Sequence, residues 1–296
     1  MDIIKFITYL QKEKKTSTNT CDAYTRDLTA FQAYLLERGV LDADKAGGAD
    51  VAAYMMALKN EGRSKATVNR KLSSIRSYYK YLQRQGTIKE NPAETIKTPR
   101  IEKKQLKYLT IEEVERLLET PDDSIKGIRD RAILEVMYAT GIRVSELIEL
   151  KLKDINFRMG FVTCNGGHGR ARIVPMGAIA RRALDEYMLK SRIVFMEGKD
   201  EKNPDGPLFV NYQGEAFTRQ GLWKVLKKYG ELSGLDGKLT PHILRTSFGV
   251  HMVQNGADLR SLQELMGNED IMAMEIFLSV TKNRIKDVYD RTHPRA

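Results

Sequence analysis

Apolar residues recur at helical spacing along the first 86 residues of the chain. Two stretches each carry five of them at intervals of three and four, which places them on one face of a helix. The first stripe is Cys21, Tyr24, Leu28, Phe31 and Leu35, and the second is Val68, Leu72, Ile75, Tyr79 and Leu82. An amphipathic N-terminus and a short pattern over residues 51–59 add two more helices. Residues 1–86 are therefore predicted to form a four-helix domain.

The pattern changes after this domain. Residues 87–108 contain Pro92 and Pro99 with little periodicity, which predicts a linker. Residues 109–296 then form a second, mostly helical domain, which begins at Thr110 with Glu113 placed for a capping box. Helices are predicted at about 110–119, 127–139, 143–150, 177–191, 218–232, 240–254, 258–266 and 281–290.

One segment of the second domain is typical of strands. FVTC (161–164) and RIVP (172–175) flank a glycine-rich connection, NGGHGRA, and predict a β-hairpin. The predicted fold class is mainly α with one small hairpin or sheet. The glycine-rich segment lacks the Lys-Ser/Thr pair of a phosphate-binding P-loop, and the surrounding sequence shows no βαβ pattern. A nucleotide site is therefore not expected.

Composition narrows the function classes. The 296 residues contain no run of 18 apolar residues, and the N-terminus lacks the uncharged core of a signal peptide, so we expect a cytoplasmic protein without membrane attachment. The two cysteines, Cys21 and Cys164, are too far apart for a CxxC metal site. No metal and no other cofactor is expected.

Positive charge is concentrated in one part of the chain. Residues 63–107 hold 13 basic and three acidic residues, a surplus of ten that equals the formal net charge of +10. A solvated surface normally mixes both signs, so this cluster favours nucleic-acid binding over a bland basic surface. The candidate DNA contacts in it are Lys65, Arg70, Lys71, Arg76, Lys80, Lys103 and Lys104.

The segment TPHILR (240–245) predicts an oxyanion site at a helix start. Thr240 suits the N-cap and Pro241 the first helical position. His242 and Arg245 are three residues apart and share a face of the first turn, near unpaired backbone N–H groups. Arg143 follows a glycine turn elsewhere in the same domain. Taken alone, the segment also fits a core histidine beside an ordinary surface arginine.

Longer stretches of the sequence resemble the Xer-type tyrosine recombinases of the phage integrase family. The resemblance runs over the whole length and includes ATVNRKLSSIRSYYKYL, GIRDRAILEVMYATGIRVSEL, TPHILR and ADLRSLQELMG. It implies an N-terminal helical core-binding domain and a catalytic domain that together surround duplex DNA. It also implies a tyrosine that attacks the scissile phosphodiester, while two arginines, two histidines and a hairpin lysine assist.

Only half of the implied catalytic positions match. Arg143, His242 and Arg245 correspond to the first arginine, the first histidine and the second arginine. The lysine, second histidine and tyrosine positions hold Gly167, Asn268 and Phe277, and Phe277 has no hydroxyl to attack a phosphate. Arg170 and Arg172 of the hairpin are further candidates for DNA contacts.

The leading hypothesis is a protein that binds duplex DNA but does not cleave it by itself. One alternative is an active site-specific recombinase, for DNA integration or chromosome dimer resolution, that works with an active Xer-type partner or carries an engineered Tyr-to-Phe change. Another is a protein-interaction module that no longer binds DNA. The segment 260–265 and the C-terminal residues resemble the family's subunit contacts, so the resemblance implies a homo- or hetero-oligomer on DNA.

Overall fold

The structure is a computed structural model that describes residues 2–97, 106–166 and 171–267 together with Met274 and Phe277. The chain divides into two compact units, Met1–Lys104 and Gln105–Ala296. Helices dominate both, and one small sheet lies in the second unit. The predicted mainly α fold class is confirmed. None of the helices in the described ranges is long and apolar enough to cross a membrane.

The first unit contains the four predicted helices: α1 (Ile3–Lys12), α2 (Thr18–Glu37), α3 (Gly48–Asn60) and α4 (Lys65–Arg84). Ser17 and Ser64 cap α2 and α4, each accepting a hydrogen bond from the backbone N–H three residues later. Apart from the half-buried Tyr24, every residue of the two apolar stripes is buried in this unit's core. A short 3₁₀ turn at Ala43–Lys45 lies between α2 and α3 and was not predicted.

The start of the predicted linker packs against the first unit. Ala93 is fully buried. Arg76 of α4 donates from Nε to the Ala93 carbonyl at 2.9 Å and from Nη2 to the Ile96 carbonyl. Side-chain contacts and hydrogen bonds therefore fix the chain as far as Ile96.

The second unit is built from α5 (Ile111–Glu119), α6 (Ile125–Thr140), α7 (Val144–Glu149), α8 (Ala178–Glu186), α9 (Ile193–Phe195), α10 (Arg219–Leu232), α11 (Pro241–Gln254) and α12 (Leu259–Met266). The capping box at Thr110 is present, because the Thr110 N–H donates to Glu113 Oε2 at 2.8 Å and the Glu113 N–H donates to Thr110 Oγ1 at 3.2 Å. Tyr187–Arg192 is π-helical and joins α8 to α9. The helix predicted at 281–290 lies outside the described residues.

The sheet has three antiparallel strands in the order β1 (Ile155–Asn156), β2 (Phe161–Asn165) and β3 (Ala171–Pro175). Strands β2 and β3 form the predicted hairpin, with Phe161 opposite Pro175 and Cys164 opposite Arg172. Strand β1 was not predicted, because two residues are too few to show an alternating pattern.

Helix α11 lies between two apolar clusters, and this packing positions the helix that carries His242 and Arg245. Leu244 belongs to the main core of the second unit. Phe248, Val250 and Val253 of the same helix belong to a smaller cluster with residues of α12 and with Phe277. Because α11 is packed on several sides, the orientation of this helix within the second unit is fixed.

Candidate functional site

A cleft of about 660 Å³ opens at the N-terminal end of α11 in the second unit. Arg143, His242, Arg245, Thr246 and Phe277 all line it. The structure therefore brings the three residues predicted to bind phosphate to one place, together with the phenylalanine at the predicted tyrosine position.

The start of α11 has the predicted local structure. Thr240 Oγ1 accepts a hydrogen bond from the Ile243 N–H at 3.1 Å, and Pro241 is the first helical residue. His242 is exposed on this turn, whereas Arg245 is only 9% exposed. This is the reverse of a core histidine beside a surface arginine, so that interpretation of the segment is wrong.

Gly141 sets the position of Arg143. Helix α6 ends at Gly141 in the left-handed conformation (φ +56°), and a Cβ there would lie 2.4 Å from Phe248 Cδ1. Both the backbone conformation and the close approach of the Phe248 ring favour glycine. The turn leaves Arg143 as the N-cap residue of α7, at the edge of the cleft.

Glu146 is a residue of this site that sequence reasoning missed. The residue is buried, with 5% of its surface exposed. Oε2 accepts from the Arg143 N–H at 2.8 Å, and Oε1 accepts from Arg143 Nη1 at 2.9 Å. Arg172 of β3 donates to both oxygens, at 2.6 and 2.9 Å. The R-x-x-E spacing at the start of α7 is typical of an ordinary helix cap and gives no sign of this burial.

Opposing effects act on the Glu146 carboxyl. Burial by itself raises its pKa, but the hydrogen bonds from Arg172 and from the Arg143 backbone, with the positive charge of both arginines, hold the pKa below its usual value. Glu146 is therefore ionised and fixes both guanidinium groups.

Arg245 adds a third guanidinium beside this pair. It donates from Nη1 to the Gly141 carbonyl and from Nη2 to the Met266 carbonyl, the latter at 2.5 Å. Burial and the positive charges of Arg143 and Arg172 lower the pKa of Arg245 to about 10. The surroundings of Arg245 are thus electropositive, and an anion in the cleft would be stabilised by them.

Phe277 also lines the cleft and is only 4% exposed. A Cβ at Gly249 of α11 would lie 2.6 Å from Phe277 Cε1, 2.8 Å from its Cζ and 3.2 Å from the Met266 sulfur. The ring therefore packs on the α11 backbone where glycine leaves room. The benzyl group brings neither a nucleophile nor a proton donor to the cleft.

The candidate DNA contacts on α4 differ in their surroundings. Arg70 donates to the carboxylate of the buried Asp27, and Lys71 lies 3.3 Å from the other oxygen of Asp27. Arg76 donates to the two backbone carbonyls described above. Lys65 and Lys80 are exposed. Much of the predicted basic surface of α4 therefore binds groups within its own unit.

Arg172, another predicted DNA contact, is mostly buried against Glu146 and donates from Nε to the Leu265 carbonyl at 2.7 Å. This is the environment of a positioning residue. The remaining predicted site residues lie outside the described part of the chain: Lys103, Lys104, Gly167, Arg170 and Asn268.

Comparison with known proteins places these features in a family. The model of the phage integrase family matches residues 107–284, and the model of the phage integrase N-terminal SAM-like domain matches residues 3–86. Tyrosine recombinase XerD of Listeria innocua is 41% identical over 98% of this chain and 98% of its own. XerD of Oceanobacillus iheyensis is 40% identical over 98% of this chain and 97% of its own.

Solved structures show the same fold. The XerH site-specific recombinase in a post-cleavage complex with its difH DNA substrate aligns with a TM-score of 0.77 and 22% identity, over 97% of this chain and 84% of that one. The lambda integrase dimer bound to a core DNA site aligns with a TM-score of 0.72 and 18% identity, over 93% of both chains.

Proposed function

The chain belongs to the phage integrase family of site-specific DNA recombinases, with Xer-type tyrosine recombinases among its relatives, and we propose that it binds duplex DNA without being able to cleave it alone. One observation carries the proposal. Phe277 lines the same cleft as Arg143, His242 and Arg245, so the phosphate-binding groups remain where the nucleophile is lost.

The retained groups suit a phosphodiester. Two guanidinium groups and an imidazole converge on the cleft at the N-terminus of α11, and Arg143 is oriented by the ionised Glu146. Such donors would stabilise the charge on the nonbridging oxygens of a phosphate. Without a hydroxyl at position 277, no phosphotyrosyl bond can form there.

Two further substitutions support the same conclusion. Gly167 cannot protonate a leaving oxygen as a lysine would. Asn268 stands at the position where the resemblance to tyrosine recombinases implies a second histidine. With three reactive groups absent, the protein acts as a DNA-binding partner or competitor of an active homologue. An active Xer-type subunit in the same assembly would supply the strand cleavage.

Binding is tested by titrating duplex DNA fragments, selected for binding to this protein, at several salt concentrations. We expect the logarithm of the binding constant to fall linearly with the logarithm of the salt concentration. Arg143→Ala should reduce that slope by about one, as expected for one lost phosphate contact. Arg70→Ala should reduce it less, because Arg70 does not line the cleft and its guanidinium pairs with Asp27. Absence of duplex binding, or binding without salt dependence, would reject the proposal.

Cleavage is tested separately with nicked suicide duplexes built on the selected sequence. The unmodified protein should form no covalent adduct with DNA when it is tested alone. In a mixture with an active homologue, only the homologue's subunits should become attached to DNA. Phe277→Tyr alone should stay inactive, and the triple variant with Gly167→Lys and Asn268→His should regain adduct formation. A covalent adduct of the unmodified chain would instead establish an active recombinase.

A further inference from the structure

A second cavity, of about 480 Å³, lies within the first unit between α3 and the beginning of α4. Its apolar part is formed by Met55 and Met56 of α3, Val68 of α4 and Ile96. Met56 is 57% exposed, so this apolar side chain is accessible from solvent. We call this cavity the α3–α4 groove.

The rim of the α3–α4 groove is basic. Lys59, Arg63, Lys65 and Lys97 line it, and none of the described lining residues is acidic. Arg63 also contacts Glu61 at 3.2 Å, but both side chains of that pair are more than half exposed, so the contact is weak and screened by water. An apolar floor is thus surrounded by four cations.

We propose that the α3–α4 groove binds an acidic amphipathic segment of a partner protein. One or two large apolar side chains of the segment would enter the floor, and carboxylates beside them would meet the four cations. The cavity volume suits such side chains. Methionines adapt their shape to different apolar groups and are common on peptide-binding surfaces.

The floor distinguishes this ligand from DNA. A phosphodiester backbone is attracted by the rim but gains nothing from Met55, Met56 and Ile96. An acidic helix or strand with apolar anchors uses both parts of the groove. The apolar floor therefore favours a protein segment, and DNA becomes an outcome for the experiment to exclude.

The test uses the full chain with ¹³C-labelled methionine methyl groups and a synthetic acidic peptide of about 14 residues with leucines at helical spacing. We expect the Met55 and Met56 methyl signals to shift on titration. Two control peptides should leave the Met55 and Met56 signals unchanged. In one, every leucine is replaced by serine, and in the other, every glutamate that makes the peptide acidic is replaced by lysine. Shifts caused by a short DNA duplex and not by the acidic peptide would assign the groove to DNA and overturn the proposal.

Substitutions localise the binding. Met56→Ser should weaken peptide affinity about tenfold, since it removes a central apolar contact, and Lys59→Glu should weaken it while reducing its salt dependence. The matched controls Met159→Ser and Lys224→Glu change exposed residues of the second unit and should bind as the unmodified chain does. Equal affinity in all four variants, or no shift with the acidic peptide, would overturn the proposal whether or not the protein binds DNA.

Discussion

Each unit contains a buried carboxylate that holds two cations, and the two arrangements serve different ends. Asp27 in the first unit pairs with Arg70 and Lys71 of α4. Glu146 in the second unit pairs with Arg143 and Arg172. The two differ in what their cations contact. Arg143, which Glu146 holds, lines the cleft together with Arg245. Asp27 instead joins α2 to α4.

The comparison shows that a count of basic residues does not measure a binding surface. Arg70 and Lys71 belong to the cluster that predicts DNA binding, yet part of their charge is used to hold two helices together. In the second unit the carboxylate instead holds Arg143, which lines the cleft. The same kind of ion pair thus joins two helices in one unit and holds a residue of the cleft in the other.

The largest expected effect comes from removing the Glu146 charge. Glu146→Gln leaves Arg143, Arg172 and Arg245 close together without that carboxylate, and we expect a loss of about 3 kcal/mol in the free energy of unfolding. Urea denaturation measures it. Glu149→Gln, at an exposed position on the same helix, should change little, and an equal effect of both substitutions would contradict the role given to Glu146.

The next effect tests the packing of Phe277 in the cleft. Gly249→Ala places a Cβ 2.6 Å from the Phe277 ring, so the ring must move, and we expect a destabilisation of about 2 kcal/mol. In a Phe277→Ala background the same substitution should cost much less. Additive effects in this double-mutant cycle, followed by urea denaturation, would show that the two residues do not contact each other.

A smaller loss is expected at the carboxylate of the first unit. Asp27→Asn should reduce the free energy of unfolding by about 1.5 kcal/mol, because water can partly solvate Arg70, whose side chain is 47% exposed. Asp22→Asn, an exposed neighbour on α2, is the control for urea denaturation. If Asp27→Asn costs more than Glu146→Gln, the contrast between the two sites is wrong.

The smallest effect concerns pH. The pKa of Glu146 lies below its usual value of 4.5 in the folded chain, so its contribution to stability is complete above pH 4.5 and is lost as the pH falls through the folded-state pKa. Unfolding measured at a series of pH values below 4.5 should show a shallower dependence for Glu146→Gln than for the unmodified chain. Parallel curves would mean that Glu146 has the same pKa in both states.

Helices were predicted well where apolar spacing is regular over several turns. The stripes of α2 and α4 predicted both helices and most of their buried positions. The shorter elements were not predicted, because β1 and the Ala43–Lys45 turn contain too few residues to show a period. The π-helical form of the segment after α8 was not predicted either, since its apolar positions differ little from those of an α-helix.

The site was predicted in part. The sequence motifs identified Arg143, His242 and Arg245, and the structure places them in one cleft. Glu146 was missed because its spacing resembles an ordinary cap, and nothing local reveals that Arg172 of the hairpin shares it. Gly249 gave no sequence signal, since its importance depends on the ring of Phe277 lying against it.

By itself, the sequence determined the helices and their caps, the total charge, and the absence of a hydroxyl at position 277. These are properties of single residues or of neighbours along the chain. Only the tertiary structure decided which cations line the cleft and which bind groups of their own unit. Asp27 and Arg70 are 43 positions apart and Glu146 and Arg172 are 26 apart, and only long-range packing brings such groups within hydrogen-bond distance.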